Sequence, residues 1–298
     1  MTYLLTGSSG FLGKHFIEFN ENLEAKLDLV LISSVEFNKL PTIKRTGSRI
    51  NYLCTDKKKL NEVSHIIHAG SFIPKNRAEA NNVQLSDESL NFTSNLLELN
   101  LPSLKKIVYF SSVDVYLRNK KRINEFSETA FSNEYIKMKI ESENMLQKYC
   151  SQNGITLHIL RIGHIYGQGD HIYKKIIPSV FNSLFFGKPL ELTSGISQTV
   201  NLLYVKDFLK ILYNLLIVDE IEGISNIVSS YPVSLQNIIE LTENISNKKL
   251  MINQKSENYD NTIYDFEPSN LVERLNYFET SIYNGLLETY RFYIDSML

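Results

Sequence analysis

The sequence predicts an α/β protein built on a doubly wound parallel sheet, with a smaller C-terminal α/β region. Three observations predict it. Strand-like and helix-like segments alternate up to about residue 165, which favours parallel strands joined by helical crossovers over a sandwich. The first strand runs straight into "TGSSGFLGKH", where Gly7, Gly10 and Gly13 stand three apart. Beyond residue 165 the rhythm loosens into helices separated by short loops or strands. The expected division is residues 1–165 for the sheet domain and 166–298 for a second region interleaved with it.

Each element has its own signal. "TYLLTG" is a continuous apolar run, hence a buried strand, and "GFLGKHFIEFNENL" places apolar residues at helical spacing. "LDLVLISS" reads as the next strand, and "HIIHAGS" as another after a short helix. "ESLNFTSNLLELNL" is helical, "KKIVYFSS" a strand, "NEYIKMKIESENMLQKYCSQNG" a long amphipathic helix and "ITLHILRIG" a strand. Right-handed crossovers then bring the strand ends, and with them a ligand crevice, to one edge of the sheet. In the second region "IIPSVFNSLFFGKPLEL", "LYVKDFLKILYNLLI" and "SLQNIIELTENIS" read as helices, and "NQKSENYDNT" as a solvated loop.

Composition narrows the partners. The 298 residues are 43% hydrophobic and 21% charged, which fits a globular chain able to bury a large core. A net charge of −2 gives no electrostatic support for nucleic-acid binding. Cys54 and Cys150 form no metal-ligand pattern and read as reduced thiols; His164 and His171 lack ligand spacing, so no metal is expected. The chain enters "YLLTG" with no basic leader, and "FLKILYNLLIV" is broken by Lys210 and Asn214 and too short for a bilayer. A cytoplasmic protein with neither membrane nor nucleic acid as partner is expected.

The glycine-rich turn carries the first chemical signal. A turn without β-carbons lets backbone N–H groups approach a pyrophosphate, and the helix N-terminus adds partial positive charge. Gly13 would let the helix pack closely on the strand. The second signal is "NEYIKMKIESE": Tyr135 and Lys139 are four apart and share one helix face. "YFSSVDVY" ends the preceding strand, which opens toward the same crevice, so Ser112, Tyr135 and Lys139 bring a hydroxyl, a tunable phenol and a cation together.

With these motifs the chain resembles the extended short-chain dehydrogenase/reductase family, in particular its nucleotide-sugar epimerases, dehydratases and reductases. "TGSSGFLG" matches the family's T-G-x-x-G-x-x-G, "IIHAGS" its strand-end histidine motif, "SSVDVY" its S-S-x-x-V-Y and "YIKMK" its Y-x-x-x-K. "LRIGHIYGQGD" is similar to its R-x-x-x-x-Y-G-P-G segment, with Gln168 in place of the proline, and "LLYVKD" to its Y-V-x-D. The resemblance implies a Rossmann domain over 1–165, a substrate-binding region over 166–298, and a homodimer through the "NFTSNLLELN" helix and the helix carrying Tyr135.

It also implies roles. Tyr135 would be the catalytic acid/base, Lys139 would hold the nicotinamide ribose and lower the phenol's pKa, and Ser112 would hydrogen-bond the reacting oxygen. Moving a phenol from ~10 to ~7 takes about 4 kcal/mol. A lysine at ~4 Å supplies on the order of 4 kcal/mol at an effective dielectric near 20. The implied cofactor contacts are Gly7, Ser9, Gly10, Phe11, Leu12, Gly13, Ser33, Ser34, Asp56, His68, Ala69, Gly70, Ile162 and His164, besides Tyr135 and Lys139. His68 also reads as a structural hydrogen-bonding histidine. Candidate substrate contacts are Asp114, Tyr166, Lys174, Lys175 and Arg274.

Departures from the family pattern narrow the reaction. Its dehydratases carry an Asp-Glu pair after the Ser/Thr, where this chain has Val113 and Asp114. Valine cannot protonate a leaving hydroxyl, so 4,6-dehydration is not expected. The second strand ends in Ser33 and Ser34 where NAD-preferring members place an acid, which favours NADP over NAD. Lys39, Lys44 and Arg45 are the cations at hand for a 2′-phosphate. Where members place Arg-Asp to bind the nucleotide diphosphate, this chain has Val200 and Asn201, and Asp207 is expected to cap a helix or tie loops together. The leading expectation is NADP-dependent reduction of a nucleotide-linked 4-keto-hexose in deoxysugar and surface-polysaccharide synthesis. The alternatives are a 4-epimerase with tightly held NAD and a non-catalytic dinucleotide sensor.

Overall fold

Eight strands hydrogen-bond into one sheet in the computed structural model, which describes residues 1–51, 57–118, 122–170, 175–192, 195–218, 222–254, 265–269 and 278–297. They are β1 (Thr2–Thr6), β2 (Asp28–Ser33), β3 (Thr42–Thr46), β4 (Arg49–Asn51), β5 (Val63–His68), β6 (Lys106–Ser112), β7 (Thr156–Ile162) and β8 (Gly223–Ile227). Their order across the sheet is β8-β7-β6-β5-β1-β2-β3-β4. The chain thus builds outward from β1, first through β2 and β3 and then in the opposite direction through β5, β6 and β7. Pairs β1–β2, β1–β5, β5–β6 and β2–β3 are parallel, and β3–β4 is antiparallel. The expected doubly wound α/β sheet is therefore present, with its reversal of direction between β1 and β5, where such sheets form their ligand crevice.

Every residue of β1, β5 and β6 is buried, as in parallel sheets covered on both faces. The helices of this part are α1 (Phe11–Glu21), α2 (Lys57–Asn61), α3 (Val83–Leu97) and α4 (Glu134–Asn153). Asn82 caps α3 by accepting from Leu85 N–H at 3.0 Å, and Asn133 caps α4 by accepting from Ile136 N–H at 3.0 Å. Gly154 ends α4 in the left-handed region at φ 64°. Leu4, Val30, Phe92, Ile107, Leu146 and Ile159 form the core between these helices and the sheet.

The β3–β4 hairpin is absent from the sequence reading, because "TIKRTGSRIN" carries just two apolar residues, Ile43 and Ile50, and shows no strand-like alternation. Its register sets Lys44 beside Ser33 at the end of β2. On β6, inside the sheet, Lys106 is buried and its Nζ donates to Leu215 O at 3.1 Å and Val218 O at 3.0 Å. It thus satisfies two carbonyls at the C-terminal end of the helix Val205–Ile217.

The chain divides into two compact units, one of residues 1–116, 128–161 and 215–225 and one of residues 117–127, 162–214 and 226–298. In the second unit the strand His164–Tyr166 pairs in parallel with Leu202–Tyr204, which sets Tyr166 beside Tyr204. A C-terminal helix, Ile282–Met297, was not foreseen from the sequence, since its apolar positions mix leucine and isoleucine with tyrosine and phenylalanine and are interrupted by polar residues. Its rings stack on the helix Ile176–Phe186: Phe185 and Tyr293 lie 6.0 Å apart and tilted by 5°. The Tyr293 hydroxyl donates to Asp170 Oδ1 at 3.0 Å, and burial pushes the Asp170 carboxyl up to about 6. Asp207 accepts from both the backbone N–H and the hydroxyl of Thr280, at 2.7 Å each. The loop "NQKSENYDNT" and Cys54 fall mostly or wholly outside the described residues, while Cys150 is a free, buried thiol. Among the described residues no helix is long and apolar enough to cross a membrane, and no group of three or more His, Cys, Asp or Glu is placed to hold a metal.

Leu146 on α4 is fully buried in the core of the first unit. Leu146→Ala should cost ~2–5 kcal/mol, read as a lower midpoint in urea unfolding at unchanged slope. A change within error would place Leu146 outside that core.

Candidate active site

The turn between β1 and α1 lies at the sheet's switch point and is shaped by close backbone approach. Gly7 has φ 71°, in the left-handed region, and a β-carbon there would come within 2.5 Å of Ala69 O in the turn after β5. A β-carbon on Gly13 would overlap the carbonyl of Gly7. The two strand-end turns and the first turn of α1 are therefore packed backbone on backbone. Gly10 is the N-cap of α1 and gives it no side-chain cap, and the first turn carries no acidic residue. The Ser8 hydroxyl is buried and has no hydrogen-bond partner among the described residues. Open N–H groups, a helix N-terminus and an unpartnered hydroxyl fit the pyrophosphate of a dinucleotide. Ser9, Phe11 and Leu12 are half-buried beside this cradle and Gly10 is exposed.

One chain of hydrogen bonds fixes the turn after β5. Thr93 Oγ1 donates to Ser89 O at 3.1 Å, so it accepts from His68 Nε2–H at 3.0 Å. Thr6 Oγ1 accepts from Gly70 N–H at 2.9 Å and gives its own proton to His68 Nδ1 at 2.9 Å. The network assigns the Nε2–H tautomer to a neutral imidazole. Burial, with the nearby Lys139 and Arg45 charges, lowers the His68 pKa to about 3. The same turn continues to Phe72, whose N–H donates to Ser89 Oγ at 2.8 Å and whose ring meets Tyr135 edge-on at 6.3 Å. His68 thus acts on the site through backbone, with Ala69 and Gly70 facing the glycine turn.

Tyr135 opens the first turn of α4, half-buried, and Lys139 lies one turn further on and is buried. Lys139 Nζ donates to Phe110 O at 2.7 Å and stands 5.8 Å from the Tyr135 ring centre and 5.2 Å from that of Tyr109. The lysine is thereby brought to the end of β6, two residues before Ser112. Burial lowers the Lys139 pKa to about 7, and the Glu143 carboxylate opposes that fall. Ser112 is buried, and its Oγ accepts from Asp114 N–H at 3.2 Å as it caps the short turn Val113–Val115. Such an arrangement can pass a proton from a phenol and hold a ribose hydroxyl on an ammonium.

The remaining candidates are placed as follows. The Ser33 hydroxyl accepts from Val35 N–H at 3.2 Å and is buried, while Ser34 is exposed. Asp114 is half-buried beside Ser112, and Val113 is buried. In the second unit Ile162 is buried, His164 is half-buried and Tyr166 is buried, with its hydroxyl against Gly285 of the C-terminal helix. Lys175 is exposed at the N-cap of the helix Ile176–Phe186. Asn201 is buried and donates to Ser229 O at 2.9 Å. Asp56, Lys174 and Arg274 lie outside the described residues. Sequence reasoning named Arg45 as a cation for a 2′-phosphate and missed its contacts: the guanidinium stacks 4.1 Å over Phe92 and donates to Gly70 O at 3.5 Å. It also missed Ser111, Glu143 and Arg161; a glutamate one helical turn after Lys139 was the available signal.

Residues 3–227 match the profile of the NAD-dependent epimerase/dehydratase family. The chain is 26% identical over 268 residues to the dTDP-4-dehydro-6-deoxyglucose reductase of Escherichia coli, covering 84% of this chain and 83% of that one. It is 23% identical over 277 residues to the dTDP-D-glucose 4,6-dehydratase of Dictyostelium discoideum, covering 82% of this chain but only 62% of the dehydratase. Its fold is similar to that of the UDP-glucuronic acid 4-epimerase of Bacillus cereus, solved with UDP-glucuronic acid and NAD. That likeness has a TM-score of 0.79, 21% identity and 100% coverage of both chains.

The buried imidazole makes stability depend on pH. His68 has a folded pKa of about 3, below its ordinary 6.5, so between these values the unfolded chain binds a proton that the native one refuses. Stability from this group is complete above pH 6.5 and falls by about 1.4 kcal/mol per pH unit as pH drops toward 3. The difference in unfolding free energy between the native chain and His68→Gln, followed from pH 7 to 4, should carry that slope. A flat difference would mean that His68 is not held neutral.

Proposed function

Because the chain belongs to the NAD-dependent epimerase/dehydratase family, we propose that it reduces a nucleotide-activated 4-keto-hexose with a nicotinamide cofactor, NADP in preference to NAD. The observation that carries this reading is Lys139 at the β6 end, 5.8 Å from the Tyr135 ring, next to a Ser112 followed by a buried valine. Proton-handling groups are present, and Val113 has no group to expel a neighbouring hydroxyl. The E. coli reductase, matched over most of both chains, supports the same choice.

In this reading the glycine turn and the N-terminus of α1 hold the dinucleotide's phosphates. A reduced nicotinamide, when bound, supplies the hydride. Tyr135 gives its phenolic proton to the sugar's carbonyl oxygen as that oxygen gains charge. Ser112 Oγ accepts from Asp114 N–H, which leaves its own proton to donate to the same oxygen. Lys139 spends one N–H on Phe110 O and keeps two donors for the ribose hydroxyls. The preference for NADP is supported by the exposed Ser34, the absence of a carboxylate at the end of β2 and the register of Lys44 beside Ser33. Asn201, turned to Ser229 O, offers a diphosphate no charge.

The purified protein should consume NADPH faster than NADH with a panel of nucleotide-linked 4-keto-hexoses. Tyr135→Phe should lower kcat by roughly 10²–10⁴-fold with cofactor affinity retained. A tightly held NAD that does not exchange, with interconversion of sugars and no net NADPH consumption, would establish a 4-epimerase instead. Unchanged turnover in Tyr135→Phe would remove the phenol from the chemistry.

A further inference from the structure

We propose that Glu143 is a positioning residue for Ser112, Tyr135 and Lys139: by holding Ser111 and Arg161 at once, it locks the ends of β6 and β7 to α4 one turn beyond the lysine. The inference rests on the reading of Tyr135 and Lys139 as the proton-handling pair.

The geometry is specific. Glu143 follows Tyr135 by eight residues and Lys139 by four, so all three lie on one face of α4. Its side chain is 4% exposed and that of Arg161 7%, so both charges are out of water. Arg161 binds both carboxylate oxygens, Nε to Oε1 at 3.2 Å and NH2 to Oε2 at 2.7 Å, and Oε1 also accepts from the Ser111 hydroxyl. Arg161 in turn lies 4.7 Å over the Tyr116 ring, which fixes the plane of the guanidinium. One carboxylate therefore ties together β6 at Ser111, β7 at Arg161 and α4.

The tie lies beside the groups that matter. Lys139 Nζ is bonded to Phe110 O, and Ser111 is the next residue of β6 and Ser112 the one after. Two bonds from α4 thus reach consecutive residues of β6 immediately before Ser112. A slide of α4 along the strand by a fraction of an ångström would break the short carboxylate bonds while leaving apolar contacts nearly intact. Hydrophobic packing alone does not define such a register, and a buried ion pair is seldom retained for stability, since apolar residues of similar volume serve as well or better. Direction-dependent bonds are what the pair contributes here.

Charge points the same way. The groups facing Lys139 are the Tyr135 and Tyr109 rings, Phe110 O, the neutral His68 on β5, and Glu143. Among these, Glu143 is the carboxylate; its charge favours the lysine's protonated form, and its partner Arg161 limits how far that effect reaches.

Two variants test the assignment. Ser111→Ala removes one arm and leaves the ion pair whole. The pair Glu143→Leu with Arg161→Met replaces the buried charges by apolar volume. For each, tyrosinate ultraviolet absorbance with NADP present, minus that of the same protein carrying Tyr135→Phe, isolates the titration of the Tyr135 phenol. Both variants should shift that midpoint relative to the native chain and lower kcat about tenfold or more at nearly constant KM. Leu146→Ala, which only weakens the core, should leave the midpoint in place. An unmoved midpoint with native kcat in the folded variants overturns the proposal; should the double variant fail to fold, Ser111→Ala decides alone. If the native chain reduces no 4-keto sugar, the functional reading fails, while the tyrosinate midpoint still decides the role of Glu143.

Discussion

The burial of one ammonium is the constraint around which the candidate site is built. Lys139 is 3% exposed, and taking a cation out of water disfavours its charge strongly. The surroundings offset this only in part: a backbone carbonyl at 2.7 Å, two aromatic faces and a carboxylate one turn away. The pKa that results, about 7, leaves the lysine able to gain or lose a proton near neutrality. His68, close enough to feel that charge, is kept neutral by burial and by that charge, with both ring nitrogens satisfied by threonines, so the site does not accumulate a second cation. A protonated imidazole there would repel the ammonium and break the chain of bonds that holds Gly70.

The same constraint explains why so much polarity lies inside the first unit. Thr6, His68 and Thr93 are each fully buried, as are Glu143 and Arg161 nearly so. Each of these groups has its partners, which is the condition under which buried polar groups do not destabilise a fold. The two networks serve different segments. The His68 chain shapes the turn that meets the glycine cradle, and the Glu143 cluster fixes α4 against β6. The cradle needs the first because Gly7 approaches Ala69 O so closely that no side chain and no shift of that turn is tolerated.

How much of this was legible in the sequence depends on the range of the signal. Strands such as "TYLLTG" and "KKIVYFSS" are continuous apolar runs, so their burial could be read without knowing their neighbours. Tyr135 and Lys139 are linked by helical period, and the glycines by a turn; both are local. Arg161 and Glu143 are 18 residues apart and on different elements, and nothing in either neighbourhood announces their contact. Arg45 reaches Gly70 O from a hairpin whose two strands hold one isoleucine each, too few to announce it. The C-terminal helix escaped notice because its buried positions Leu286, Thr289 and Tyr293 mix aliphatic, hydroxyl-bearing and aromatic side chains, with Tyr293 tied to Asp170, and so form no continuous aliphatic stripe.

Local motifs therefore announce chemistry, while the long-range polar contacts set the conditions under which that chemistry runs. A Tyr-x-x-x-Lys spacing places a phenol and an amine on one helix face in many chains that do nothing with them. What distinguishes this pair is the end of β6 beneath it, where Phe110 O takes the lysine and Ser111 takes the carboxylate that follows it. Removing the amine's water makes its proton negotiable, and removing the strand's freedom to slide makes its position definite. Neither effect is written in the four-residue spacing; both come from a sheet wound so that β6 ends under the first turns of α4.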